Sequence, residues 1–205
     1  MSLSQRPFVD LLNAFRSPEP TPGGGSAAAL AGAVGASLLA MVAALGKSRA
    51  GTDEEVGRLR AAGERCAALS DRLAALMDAD STAYDDVVGA FKLPKQTDDE
   101  LSARRIRIQE ALRGATQVPL DVMRACATAL EQGIVVARFG NLNARSDVQV
   151  GLELLAAGLR GAKLNVDINL ESLKDVAYVS AVRDEAERLA DAAEDAHRPG
   201  GSRTT

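Results

Sequence analysis

Apolar residues recur every three or four positions along most of this chain, the period of helices that bury one face. Phe8, Leu11, Leu12 and Phe15 form the first stripe, with Ser4 placed to cap it and Pro7 tolerable in its first turn. A Pro/Gly-rich loop over 17–25 leads into a helix predicted over 27–45. Thr52-Asp53-Glu54-Glu55 has the form of a capping box and opens a long helix. Leu59, Ala62, Cys66, Leu69, Leu73, Leu76, Asp80, Ala83 and Val87 make its seam, and Leu93-Pro94 ends it. Thr97-Asp98-Asp99-Glu100 repeats the box and opens a helix through Ile108 and Leu112. Pro119 predicts a kink or break near Val118. Helical spacing resumes through Leu120, Met123, Ala127 and Leu130 to Gly133. The run 134–139 is strand-like but isolated, so it implies no sheet. A loop over 140–143 and an N-cap signal at Ser146-Asp147 precede the stripe Val148, Leu152, Leu155, Leu159, Ala162 and Val166. A final amphipathic helix is expected over 175–196. The expectation is an all-α, single-domain bundle over 1–197, of five to seven helices, with a disordered tail over 198–205.

The centre of that bundle is the stretch that begins Pro22-Gly23-Gly24-Gly25-Ser26. From Thr21 to Gly46 there is no charge, and 15 of the 26 residues are Gly or Ala. Successive glycines permit left-handed backbone or close approach of another group. Ser26 stands where an N-cap is expected, so the turn offers unpaired N–H groups and the positive end of a helix dipole to an anion. Gly46-Lys47-Ser48 imitates the end of a Walker A loop, but Met41 holds the place of its first glycine. A membrane span fits the length of this stretch. Gly32, Ala36 and Ala40, however, form a ridge of small residues that suits a helix packed among helices.

Composition narrows the chemistry. Of 205 residues 46% are hydrophobic and only 3% aromatic, so the core is aliphatic and Ala-rich. A net charge of −4 argues against nucleic acid as a partner. The first residues hold no apolar h-region, and Cys66 and Cys126 have no metal-ligand spacing, so a cytoplasmic protein with reduced cysteines and no metal is expected. The one histidine, His197, lies in a polar tail, which directs attention to carboxylates, lysines and tyrosines as proton carriers.

Asp80 is the one charge on the long apolar seam, whereas Asp78, Asp85 and Asp86 fall off it and read as solvated. A carboxylate there needs a partner, a proton or a function. Asn165 and Asn169 project together, one turn apart, and suit either helix ends or a polar ligand. Lys95, Arg104 and Arg105 suit the surface or an anion.

These motifs together resemble the formiminotransferase-cyclodeaminase C-terminal domain family, which includes stand-alone methenyltetrahydrofolate cyclohydrolases. The resemblance is carried by Pro22-Gly23-Gly24-Gly25-Ser26, Met41-Val42, Asp80-Ser81-Thr82-Ala83-Tyr84, Leu93-Pro94-Lys95, Val118-Pro119-Leu120, Gly140-Asn141, Ser146-Asp147 and Asn165-Val166-Asp167-Ile168-Asn169, in order from about 7 to 175. Leu45-Gly46 departs from the Leu-Thr of many members. The resemblance implies a helical homodimer with a folate site between subunits near the Gly-rich turn, with no separate cofactor. It implies Asp80 as proton carrier, and Tyr84, Asn141 and Asp147 among the binding residues. It implies a folate one-carbon enzyme, read first as a methenyltetrahydrofolate cyclohydrolase, with a formiminotetrahydrofolate cyclodeaminase or a non-catalytic helical folate-binding module as the alternatives. The Gly-rich turn is expected to receive part of the folate, with Lys95, Arg104 and Arg105 near its glutamate.

Overall fold

Helical periodicity becomes six α-helices in the computed structural model, which describes residues 2–197: α1 (Phe8–Arg16), α2 (Gly24–Ala44), α3 (Asp53–Phe91), α4 (Asp98–Phe139), α5 (Arg145–Leu170) and α6 (Val176–His197). Short 3₁₀ turns occupy Leu3–Gln5 and Leu142–Ala144, and there is no strand among the described residues. The expected tail over 198–205 lies outside them.

Two expected caps form. Thr52 accepts from the Glu55 N–H at 3.2 Å, and Thr97 with Glu100 completes a reciprocal capping box. Others do not. Ser4 sits in the first 3₁₀ turn, and α1 starts after Pro7 with no side-chain cap. Ser146 and Asp147 lie inside the first turn of α5, whose N-cap is Ala144. Phe8 is 68% exposed, so of the α1 stripe only Leu11 is fully buried.

The strand-like run 134–139 is the last part of α4, because burial of Val136 and Phe139 at helical spacing overrides local β propensity. Nor does Pro119 break the helix. It has no N–H for the Ala115 carbonyl, and the Asn169 Nδ2 supplies the missing donor at 2.8 Å. A side chain from α5 thus lets α4 run through its proline.

α2 lies between α3 and α5 and over α4. A Cβ on Gly35 would stand 2.6 Å from the Gly151 carbonyl, so α2 and α5 meet backbone to backbone only because both positions are glycine. Leu39, Leu73, Met77, Met123, Leu155 and Val166 fill the core between these helices. By length and composition α2 would cross a membrane, yet its inner side is buried by the other helices. Arg124 on α4 fastens α6 through a two-pronged pair to Glu185, at 2.6 and 2.8 Å.

Candidate active site at the start of α2

The Gly-rich turn starts α2 three residues earlier than its sequence suggests. Gly23 is the N-cap and Gly24 the first helical residue, so Ser26 lies inside the first turn rather than capping it. The Thr21–Pro22 peptide before it is cis. Ser26 is fully buried, and its hydroxyl has the Met77 carbonyl at 3.1 Å and Asp80 Oδ2 at 2.9 Å. One proton therefore serves two acceptors.

Asp80 is half-buried against this turn. A Cβ on Gly25 would fall 2.2 Å from its Oδ1, so glycine is what admits the carboxylate to the helix end. Gly25 is not in the left-handed region; it supplies room, not backbone freedom. Burial raises the Asp80 pKa above its ordinary 3.8, while the Ser26 hydroxyl and N–H pull it back. The positive end of α2 acts in the same direction as Ser26. Among the described residues no Lys or Arg is within ion-pair distance of Asp80. The group is thus a carboxyl of raised basicity with partners for both protonation states, and not half of a salt bridge.

Other predicted residues fall at varied distances from it. Asn165 stands against the other flank of the turn, its Nδ2 3.6 Å from a Cβ built on Gly24 and bonded to the Gly161 carbonyl at 2.9 Å. Tyr84 is one turn beyond Asp80 on α3 and 41% exposed. Asn169 serves the Ala115 carbonyl and is structural. Asn141 donates to the Gly46 carbonyl at 2.8 Å, beyond the far end of α2. Asp147 lies in the neighbouring first turn of α5. The length of α2 puts that region about 30 Å from Asp80, outside the same site in one chain.

Asp78 is not the solvated residue its position off the seam implies. It accepts from the Leu3 N–H and, at 2.6 Å, from the Ser4 hydroxyl, and so anchors the N-terminal turn to α3. A polar cavity of about 340 Å³ lined by Arg6, Thr21, Pro22, Asp78, Ser81 and Asp85 opens on that side of α3, and it meets the turn at Ser81, whose hydroxyl stands 3.4 Å from that of Ser26.

α3 continues eleven residues past Asp80 to Phe91. At 3.6 residues per turn that is about three turns, so Phe91 shares the Asp80 face about 16 Å along. There it borders a cavity of about 410 Å³ with Arg104, Arg105, Ile108, Gln109 and Lys174. Arg104 and Arg105 were legible as candidate anion groups; Lys174 was not, because only packing brings the end of α5 to the start of α4. Lys95 is exposed in the α3–α4 loop and does not border the cavity.

The formiminotransferase-cyclodeaminase family model matches residues 7–188. A methenyltetrahydrofolate cyclohydrolase of Methylorubrum extorquens is 42% identical over 178 residues, covering 87% of this chain and 86% of that protein. The formimidoyltransferase-cyclodeaminase of Sus scrofa is 35% identical over 89% of this chain, which spans 34% of that longer protein. The crystal structure of a formiminotetrahydrofolate cyclodeaminase from Thermotoga maritima superposes with a TM-score of 0.84 at 26% identity, covering 95% of this chain and 93% of that one.

Proposed function

The chain belongs to the formiminotransferase-cyclodeaminase family, and we propose that it hydrolyses 5,10-methenyltetrahydrofolate to 10-formyltetrahydrofolate, with Asp80 as the proton carrier. The observation that carries this reading is the Asp80 carboxyl: basic through burial, unpaired with any cation among the described residues, and held at the start of α2 by Ser26.

In the reaction water attacks the cationic carbon between N5 and N10 and gives a proton to the Asp80 carboxylate. The adduct then collapses: its C–O bond becomes the formyl carbonyl, the C–N5 bond breaks, and N5 takes the proton back from Asp80. The adduct's hydroxyl proton leaves to solvent, so each turnover releases one proton and returns Asp80 ionised. While Asp80 is protonated, the Ser26 hydroxyl remains satisfied by the Met77 carbonyl. Proton transfer of this kind contributes about 10²–10⁴-fold, and fixed geometry supplies the remainder.

The same carboxyl also suits formiminotetrahydrofolate cyclodeamination, relaying a proton from N10 to departing ammonia, the activity named for the Thermotoga neighbour. Loss of the methenyl chromophore reads hydrolysis; its appearance from the formimino compound reads deamination. Asp80→Asn should lower kcat by about 10²-fold or more without lowering Tm, because the amide fits the same space and no cation is stranded. Near-normal turnover by this variant would refute the assignment, and a wild-type protein inert in both assays would refute the function.

The protein is further proposed to work as a homodimer in the cytoplasm. Ala27, Val34, Ser37, Met41 and Leu45 form an exposed, uncharged stripe along α2. Antiparallel pairing of two such stripes sets the Asn141 end of one copy near the Gly23 end of the other, which brings the separated family landmarks to one site. Buried, free Cys66 and Cys126, pushed up to about 11 and 12, suit a reducing compartment. Light scattering should give about twice the chain mass of 21.4 kDa; a monomer at working concentration would refute the pairing.

A further inference from the structure

The cavity at the end of α3 is furnished for an organic anion. Arg104 sends Nη2 to the Phe91 carbonyl at 3.0 Å and lies 5.6 Å over the Phe91 ring, yet its Nε is buried with no hydrogen-bond partner. A buried guanidinium N–H without an acceptor is costly, so Arg104 gains by turning its fork toward a carboxylate in the cavity. Arg105 and Lys174 border the same space, and among the described residues none of the three cations forms an ion pair.

The cavity is also built rather than incidental. Gln109 clamps the loop after α5 from both sides: its Nε2 donates to the Ser172 carbonyl at 3.2 Å, and its Oε1 accepts from the Lys174 N–H at 2.8 Å. That clamp holds the Lys174 backbone at the cavity whatever its ammonium does. Phe91 and Ile108 supply apolar wall, and Phe91, 51% exposed, has ring surface free for a flat group.

Resting on the folate reading above, we propose that this cavity is the subsite for the benzoyl-glutamate arm, with the aryl ring on Phe91 and Ile108 and the glutamate carboxylates on Arg104 and Lys174. The arm begins at N10, beside the reacting carbon, and at ordinary bond lengths carries its far carboxylate about 12 Å away. Asp80 and Phe91 are about 16 Å apart along one face of α3, and the long Arg and Lys side chains span the difference. The 340 Å³ cavity beside Pro22 sets one cation, Arg6, against two carboxylates, Asp78 and Asp85, and so does not suit an anionic arm.

The test uses the full chain and the fragment N-(4-aminobenzoyl)-L-glutamate. Calorimetry should show it binding the wild-type protein, and Arg104→Gln and Lys174→Gln should each weaken it about tenfold, the scale of one charge-assisted hydrogen bond. In turnover both variants should raise KM by a similar factor while kcat holds. Wild type should prefer methenyltetrahydrofolate to its pteroate analogue lacking glutamate, and the variants should lose that preference. Lys174 is exposed and its structural bond is made by its backbone, so Lys174→Gln tests the subsite even if Arg104→Gln frays α3. No binding of the fragment, or equal KM rises on both substrates, would overturn the subsite. Fragment binding by a protein inert toward both folates would sink the proposed reaction and keep the subsite.

Discussion

Replacing Gly25 by alanine adds one methyl group where the helix start and the Asp80 carboxylate meet. The new Cβ would stand 2.2 Å from Asp80 Oδ1, 2.7 Å from Cγ and 2.8 Å from Oδ2, all inside the 3.0 Å that real contacts respect. The carboxylate must retreat by close to 1 Å, away from Ser26. Two opposed effects follow. Alanine gains up to about 1 kcal/mol of helix propensity over glycine. Losing a hydrogen bond to a charged group costs about 1.5–3 kcal/mol. The net should be a destabilisation of about 0.5–2 kcal/mol, small enough to leave the protein folded. Turnover should fall much further, since misplacing a reacting group by about 1 Å can cost 10²-fold. Gly57→Ala is the reference, because nothing lies within 4 Å of its new Cβ and Gly57 is at the other end of α3. It should gain stability and keep wild-type turnover. Thermal melts and the methenyl chromophore read both quantities. A Gly25→Ala protein with turnover within threefold of wild type would refute the claim that the carboxylate must sit against this turn.

Ser26→Ala removes the hydroxyl that holds the Asp80 pKa down, so that pKa should rise and the acid limb of the pH–kcat profile should move to higher pH; an unmoved limb would separate Ser26 from the proton carrier. Because the folded pKa of Asp80 lies above its ordinary 3.8, its proton contributes stability at low pH that is lost as pH rises through the folded value; Asp80→Asn should flatten that part of a Tm–pH curve, and an unchanged curve would count against the raised pKa. Asn169→Ala leaves the Ala115 carbonyl without its donor and should cost about 1–3 kcal/mol, but much less in a Pro119→Ala background, where a backbone N–H returns; equal cost in both backgrounds would refute the role of Asn169 as donor to that carbonyl.

Much of this was legible in the chain, for physical reasons that also mark where legibility ended. The seam of α3 showed because burial repeats at helical spacing from Leu59 to Met77, and Asp80 stood out as the charge that continues it. An all-α bundle of five to seven helices followed from the same local signals, which also drew attention to Gly23 to Ser26. What those signals lacked was the partner of each group. Pro119 reads as a break because its remedy, Asn169, is fifty residues away in sequence. Ser26 reads as a cap because caps are local, whereas its two acceptors come from α3. Asp78 reads as solvated because the turn that covers it is the N-terminus. Lys174 carries no motif at all, and only the Gln109 clamp gives it a place. Asn141 and Asp147 belong to the family's ordered landmarks, yet order along the chain did not reveal that α2 separates them from Asp80.

The unequal lengths of the helices connect the fold to the proposed chemistry. α2 begins at Gly24, where α3 has reached only Asp80, and α3 then runs on to Phe91. If α3 stopped with its neighbour, Asp80 would be a helix-end carboxylate facing solvent, and a substrate would have nothing to lie along. The overhang adds three turns bearing Tyr84 and Phe91 on the Asp80 side, and α4 must start late enough to return beside it with Arg104. On the opposite flank α5 passes Gly24 at Asn165 and ends beside the same cavity. A proton carrier at one end and cations at the other, joined by two helices past the start of α2, form a track suited to a substrate with a reacting carbon and a distant anion. That length requirement accounts for an α3 of 39 residues better than core burial does, since its fully buried positions are sparse beyond Met77.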